Sequence, residues 1–234
     1  VPTLVGHKYA VANQRIEPHV VDVPVPLSPW RAVSSSQNGF FLGSFIGELA
    51  HAAGQDSLTF RRVHLVDQPR HSAVLDRLSE LASWGDQRTG VFQGIAIFES
   101  YGSVVGQVVD IVKRGDTHAI VAVSVVIACG RALNPDQVIA QMEGSVIDAL
   151  GAAARQQVTI ERGRAQQSNF HDYPQLRIGE TPPTIRVAIV EDAGALGGVG
   201  EPGVPPLAPA VANALFAASG KRVRSLPFGS ALSL

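Results

Sequence analysis

Three neighbouring segments constrain this chain more than any others: Val91–Phe98, Ser103–Lys113 and His118–Cys129. Each is dense in valine and isoleucine, whose β-branched side chains fit a pleated sheet better than a helix. They are joined by short turns, one of them Arg114-Gly115-Asp116, and so read as consecutive antiparallel strands. The rest of the fold has to be arranged around that meander.

Before it the apolar period is helical. Phe40, Phe41, Phe45, Ile46, Leu49 and Ala53 line a first helix that stops at Gly54, with the polar cluster Ser34–Asn38 as a loop capping it. Asp56 caps a second helix from Ser57 to about Val66, and a third runs from Arg70 to Ser83. Further upstream, Val20–Val25 is expected to form a short edge strand, kept from a sheet centre by Pro24 and Pro26.

After the meander, Asn134-Pro135 opens a helix with a capping amide and a proline at its first position. Val138, Ile139, Met142, Val146 and Leu150 fall on one face of it, up to Gly151. Strands are expected near Val158–Ile160, at Ile185–Val190 and at Val223–Leu226, with a turn at Glu161–Arg164. Helices, then a meander, then mixed elements make an α+β fold with mixed and antiparallel strands.

One stretch is neither helix nor strand. Gly194–Ala210 reads GALGGVGEPGVPPLAPA, and its glycines and prolines forbid regular structure around a single acid, Glu201. The apolar segment Leu207–Ser219 follows as a helix that ends at Gly220. The loop therefore delivers one carboxylate at the mouth of a helix.

Composition excludes several function classes. The net charge of −1 gives no electrostatic case for nucleic acid or an anionic membrane surface. No apolar run reaches the roughly 18 residues of a membrane span. The single Cys129 rules out an internal disulfide framework, and its place at the end of an apolar strand makes it a core residue. The scattered histidines 7, 19, 51, 64, 71, 118 and 171 show no helical ligand spacing, so no metal bound by protein side chains is expected. Serines 34–36 lack a nucleophile-elbow sequence. Val1 is not an initiator and no secretory signal follows, so a processed or excised piece of something longer is expected.

Three polar features remain. Arg31 lies between Trp30 and a loop of small residues, and Gln141 sits on the Asn134–Leu150 helix. Residues 166–174 crowd amide, hydroxyl and imidazole groups into one loop, Gln-Gln-Ser-Asn-Phe-His-Asp-Tyr-Pro. Taken singly, each reads equally well as an ordinary surface feature.

In order, however, the segments PWRAVSSSQN (29–38), SFIGELA (44–50), CGR (129–131), NPD (134–136), QMEG (141–144), QSNFHDYP (167–174) and GVGEPG (198–203) form a set. The set resembles the C-terminal part of the molybdenum-cofactor-binding large subunit of the xanthine dehydrogenase/aldehyde oxidase family, on the bacterial branch that includes isoquinoline 1-oxidoreductase. The resemblance implies a molybdenum hydroxylase that oxidises an aldehyde or hydroxylates an N-heteroaromatic ring, with water as the oxygen source. It implies Glu201 as catalytic base and Gln141 as a hydrogen-bonding partner of the cofactor. Arg31, Ala32 and Val33 become the loop beside the metal, Gly200 and Gly203 positions of close backbone approach, and Ser168 and Asn169 part of the cofactor cavity, with Tyr173 beside them. Relatives carry glycine where Ala32 and Ser34 stand here.

The implied cofactor is molybdopterin, in its cytosine dinucleotide form, with a mono-oxo/sulfido molybdenum held by the pterin dithiolene. The implied partners are a chain carrying the other half of the molybdenum-binding subunit, a small subunit with 2Fe-2S clusters, and a cytochrome or other electron acceptor. Residues 1–234 would then be the C-terminal cofactor-binding portion of a split large subunit, without its small N-terminal α/β domain and first cofactor-binding half. A non-catalytic scaffold subunit is the alternative, and the compartment, cytoplasm or bacterial periplasm, stays open.

Overall fold

The computed structural model describes residues 2–17, 19, 21–23 and 25–234. Its centre is the expected meander: β1 (Val91–Ser100), β2 (Ser103–Arg114) and β3 (Thr117–Ala128), paired antiparallel in that order. A further strand, β6 (Ile185–Val190), adds parallel to the far side of β3. Two short strands, β4 (Ile160–Glu161) and β5 (Arg164–Ala165), form a separate hairpin, and β7 (Leu232–Ser233) pairs with the start of β3.

Helices cover both faces of the sheet, which is why its strands are almost continuously apolar rather than alternating. On one face α4 (Pro69–Ala82) packs Val74, Leu75 and Leu78 against Ile95, Ile97, Val104, Val108 and Val126. On the other, α5 (Pro135–Ala154) and α6 (Leu207–Ser219) pack Met142, Val146, Leu150, Leu207 and Val211 against Val105, Val109, Val125 and Ile127. Two glycines let helices settle on the strands. A Cβ on Gly94 would lie 2.1 Å from the carbonyl oxygen of Ala210, and one on Gly106 would lie 2.9 Å from Val74 and Leu78.

The upstream helices α2 (Ser34–Ala52) and α3 (Ser57–His64) complete the layer, after a single turn α1 (Pro2–Val5). α2 and α6 approach closely along a glycine stripe spaced by four. A Cβ on Gly39, Gly43 or Gly47 would clash with Pro205, Pro209 or Asn213 respectively, at 2.2–2.7 Å. Both series ascend together, so the two helices run parallel and their N-terminal ends lie side by side. Asn213 locks the contact by donating to the carbonyls of Gly43 at 3.2 Å and Ile95 at 3.1 Å.

The expected caps are present: Asp56 accepts from the amide of Thr59 at 2.8 Å, and Asn134 from that of Gln137 at 3.3 Å. Gly220 ends α6 in the left-handed region. Five expectations need correction. Ser34–Asn38 is not a loop but the first turn of α2, where Ser35 and Asn38 are buried. α5 continues beyond Gly151 to Ala154, because that glycine packs beside Gln156 and Leu176 instead of ending the helix. Val223–Leu226 is not a strand; the final pairing with β3 comes later, at β7. The strand expected near Val158–Ile160 is displaced to the small hairpin folded on Arg162-Gly163. Of the expected edge strand, Val20 and Pro24 lie outside the described residues, and Val21–Val23 are not in a strand.

Candidate functional site

Because α2 and α6 run parallel, the residues just before each helix meet. Arg31 and the segment Gly200–Gly203 are 169 positions apart in sequence, yet Arg31 Nε donates to the Gly200 carbonyl at 2.8 Å, with Nη2 on the same oxygen. The guanidinium also reaches α5, donating to Gln141 Oε1 at 3.1 Å, Ser145 Oγ at 2.8 Å and Asp148 Oδ2 at 3.3 Å. The fork of five donors on an arginine suits such a convergence; a lysine has no comparable geometry. Three residues singled out in the sequence are thus joined through one side chain: Arg31, Gln141 and Gly200. Gln141 spends its oxygen on Arg31, and its Nε2 has no hydrogen-bond partner among the described residues. Gln141 is exposed, so this amide donor is open to another molecule.

Ala32 and Val33 connect Arg31 to α2 through an unusual backbone. Ala32 has φ +69° and Val33 φ +46°, the left-handed region that glycine occupies freely and a β-branched residue avoids. Ala32 is fully buried and Val33 half exposed. A glycine at position 32 would take up this backbone without strain. Ser34 lies in the first turn of α2, where no such requirement exists.

The Gly/Pro stretch is irregular, as expected, but it is not loose. Asp192 accepts from the Gly194 amide at 2.7 Å, and the Gly197 amide donates to the Cys129 carbonyl at 3.0 Å. The Gly198 amide donates to the Tyr101 carbonyl at 2.8 Å, while Ser103 Oγ donates to the Gly198 carbonyl at 2.7 Å. Further on, Gln107 Nε2 donates to the Gly203 carbonyl at 2.7 Å, and the Val204 amide closes a turn onto the Glu201 carbonyl at 3.0 Å. Gly203 must be glycine on steric grounds, since a Cβ would lie 2.6 Å from Ser145. At Gly200 a Cβ would meet nothing within 4 Å, so that side of the loop is open. Glu201 is half-buried between these two glycines.

A second arginine fixes the other end of the loop. Arg70, at the start of α4, donates to Asp192 Oδ2 at 2.9 Å, the Ala128 carbonyl at 2.9 Å and the Gly102 carbonyl at 3.0 Å. Burial works against ionisation of Asp192, but the Gly194 amide and Arg70 outweigh it and hold the carboxyl below its ordinary value. Cys129 is a core residue, with its thiol pushed up chiefly by burial.

Sequence reasoning missed Gln107, Arg70 and Asp192. Gln107 carried a signal, an amide set among the valines of β2, and it is fully buried. Ser168 and Asn169 are not joined to the Arg31 cluster. They are exposed, and their amides donate to Asp172 at 2.9–3.0 Å within their own loop. The amides of Asn169 and Ser168 hold the Asp172 carboxyl below its usual range. Among the described residues no cluster of His, Cys, Asp and Glu could hold a metal ion, and no helix is long and apolar enough to cross a membrane.

The chain is similar to known proteins. The family model described as molybdopterin cofactor-binding domain matches residues 48–182. The chain is similar to the beta subunit of isoquinoline 1-oxidoreductase from Brevundimonas diminuta, 32% identical over 231 residues, which is 96% of this chain and 29% of that protein. It is also similar to one of the subunits of nicotinate dehydrogenase from Pseudomonas putida, 31% identical over 227 residues, 87% of this chain and 19% of that protein. The chain thus spans under a third of the length of these curated relatives. Its fold matches the aldehyde oxidoreductase of Desulfovibrio desulfuricans with a TM-score of 0.67 over 86% of this chain and 40% of that one, at 11% identity.

Proposed function

We propose that this chain, which belongs to the molybdopterin cofactor-binding domain family, forms one wall of a molybdenum-hydroxylase active site in which Glu201 is the catalytic base. The observation that carries the reading is the Arg31 cluster. One guanidinium ties the Gly200 carbonyl to Gln141 and Ser145, so the loop bearing Glu201 and the amide of Gln141 are held in a fixed relation.

The residues present suit the cofactor. Gln141 offers an unpaired amide donor to the acceptor atoms of a pterin, and Gly200 leaves open space where another residue would place a side chain. Gln141, Gly200 and the backbone of Ala32 and Val33 would hold the group, with Gly203 allowing the loop to sit against α5. When bound, a pterin-held molybdenum with oxo and sulfido ligands supplies two-electron oxidation. The role of Glu201 is to take the proton from the water whose oxygen ends on the substrate carbon. The tethers at Gly197, Gly198, Gly200 and Gly203 fix the backbone that carries Glu201, and a positioned general base needs such a fixed mount.

The finer reading follows the same line. The pterin is the cytosine dinucleotide form, and the substrate is an aldehyde or an N-heteroaromatic ring attacked at the carbon next to nitrogen. Electrons leave through 2Fe-2S clusters on a small partner subunit, then to a cytochrome or another acceptor. Residues 1–234 act as the C-terminal portion of a large subunit whose other half completes the pocket. Relatives named as subunits support partnership of this kind. So does a groove of about 520 Å³ on the outer side of α2, lined by Leu4, Val11, Phe41, Leu42 and Phe45, with both phenylalanines 55% exposed.

Cofactor content tests the reading. In the assembled complex, Gln141→Ala is expected to lower the molybdenum and pterin retained per complex, measured by metal analysis and pterin fluorescence after release. Retention equal to the parent would remove Gln141 from the cofactor site.

A further inference from the structure

The turn between β1 and β2 lies directly on the Glu201 loop. Ser100 pairs with Ser103, leaving Tyr101 and Gly102 as a two-residue connection with φ of +52° and +76°. Positive φ at both positions is the hairpin geometry that favours Asn-Gly or Asp-Gly. Gly102 fits it, but tyrosine is a poor choice for the first position, because the left-handed region crowds its Cβ. A residue that serves the turn badly invites a reason in its side chain.

The turn that carries this side chain packs on the loop that carries the proposed base. The Tyr101 carbonyl accepts from Gly198 at 2.8 Å, and a Cβ on Gly198 would lie 3.3 Å from Tyr101 Cβ. Ser103 and Gly102 press on Gly197, where a Cβ would lie 2.1 Å from Ser103 Oγ. Arg70 holds the turn from behind through the Gly102 carbonyl. The turn and the loop are therefore one rigid unit, and Glu201 follows Gly198 by three residues. Burial, and then the Glu201 carboxylate, push the Tyr101 phenol up. Yet the residue is 44% exposed, so protein atoms do not use its ring fully.

We propose that Tyr101 is a specificity-determining residue of the Glu201 site, its ring forming an aromatic wall for a flat N-heteroaromatic substrate. The inference rests on the reading of Glu201 as the base and narrows its substrate class. An aromatic face gives offset stacking to a planar ring, a contact that an aliphatic aldehyde cannot make. The phenol hydroxyl is not needed for that contact, so phenylalanine should replace tyrosine without loss.

The test uses the assembled complex, with isoquinoline as the aromatic probe and butyraldehyde as the aliphatic one. Tyr101→Asn supplies the residue that the turn prefers, so its melting temperature should equal or exceed the parent's. Its isoquinoline Kd, by titration calorimetry, should rise roughly three- to tenfold, the range of one lost aromatic contact. Butyraldehyde KM should stay within about twofold, as should isoquinoline binding by Tyr101→Phe. Unchanged isoquinoline affinity in Tyr101→Asn overturns the inference, as does an affinity loss accompanied by a lower melting temperature. So does a parent complex that does not bind isoquinoline. Glu201→Gln separates the two claims. Intact turnover in that variant refutes the base, whereas lost turnover with parent-like isoquinoline binding by Tyr101→Asn refutes only the aromatic wall.

Discussion

Replacing Arg31 with methionine keeps most of the stem and removes the fork that holds the Glu201 loop. The guanidinium side chain is 26% exposed, and its contacts are unequal. The Asp148 carboxylate is 40% exposed and 3.3 Å away, so that ion pair contributes at most about 1 kcal/mol. The bonds to the Gly200 carbonyl and Ser145 are part-buried and charge-assisted, a class worth about 1.5–3 kcal/mol to stability. Arg31→Met is therefore expected to cost about 2–4 kcal/mol, or roughly 4–16 °C in melting temperature for a chain of this size. Arg31→Lys should recover less than half, because a point charge cannot serve Gly200, Gln141 and Ser145 together. Asp148→Asn should cost under about 1 kcal/mol. Thermal unfolding of the assembled complex, followed by fluorescence, compares the three. If Arg31→Met melts with the parent, or Asp148→Asn costs as much as it does, the clamp assigned to Gly200 is wrong.

Three other outcomes follow from the same structure. Val33→Gly should raise the melting temperature, since relief of a strained left-handed valine, about 1–3 kcal/mol, exceeds the entropy that glycine adds; a lower value by calorimetry would contradict the strain. Gly39→Ala puts a Cβ 2.5 Å from the Pro205 carbonyl and should cost about 1–3 kcal/mol, while Gly144→Ala, with nothing within 4 Å, should stabilise by about 0.5–1 kcal/mol. Equal effects in denaturant melts would refute the helix contact. His71 is held neutral, its value lowered from 6.5 to about 4 by burial, then by Lys8 and Arg70. The unfolded chain takes up that proton first, so stability should fall as pH drops from about 6.5 to about 4, by up to about 3 kcal/mol. His71→Leu should flatten that interval in urea melts across pH, and an unchanged slope would exclude His71 as its source.

The sequence carried the sheet well, because Val/Ile runs and turn residues are local signals that the sheet then uses as they stand. Helix starts at Asp56 and Asn134 were legible for the same reason, each cap being decided by its own side chain. The start of α2 was not. Serine and asparagine favour loops locally, and only burial of Ser35 and Asn38 against the rest of the fold holds them helical. The site divides similarly. Residue types in order pointed to Arg31, Gln141, Gly200 and Glu201, and their meeting depends on the glycine stripe 39, 43, 47 that sets α2 along α6. That stripe was visible as a spacing of four but had no partner until the proline-rich start of α6 was placed. Gln107 and Arg70 act across the fold on backbone carbonyls, which have no identity in a sequence. Ser168 and Asn169 came from the resemblance; both are exposed, and their amides donate to Asp172 within their own loop.

Turnover by Glu201→Gln in the assembled complex, with molybdenum and pterin content matched to the parent, tests the central claim most directly. The amide is nearly the same size as the carboxylate but cannot take a proton, so loading should be unchanged and kcat should drop at least about 100-fold. A fully loaded variant that turns over at the parent's rate would show that Glu201 is not the base.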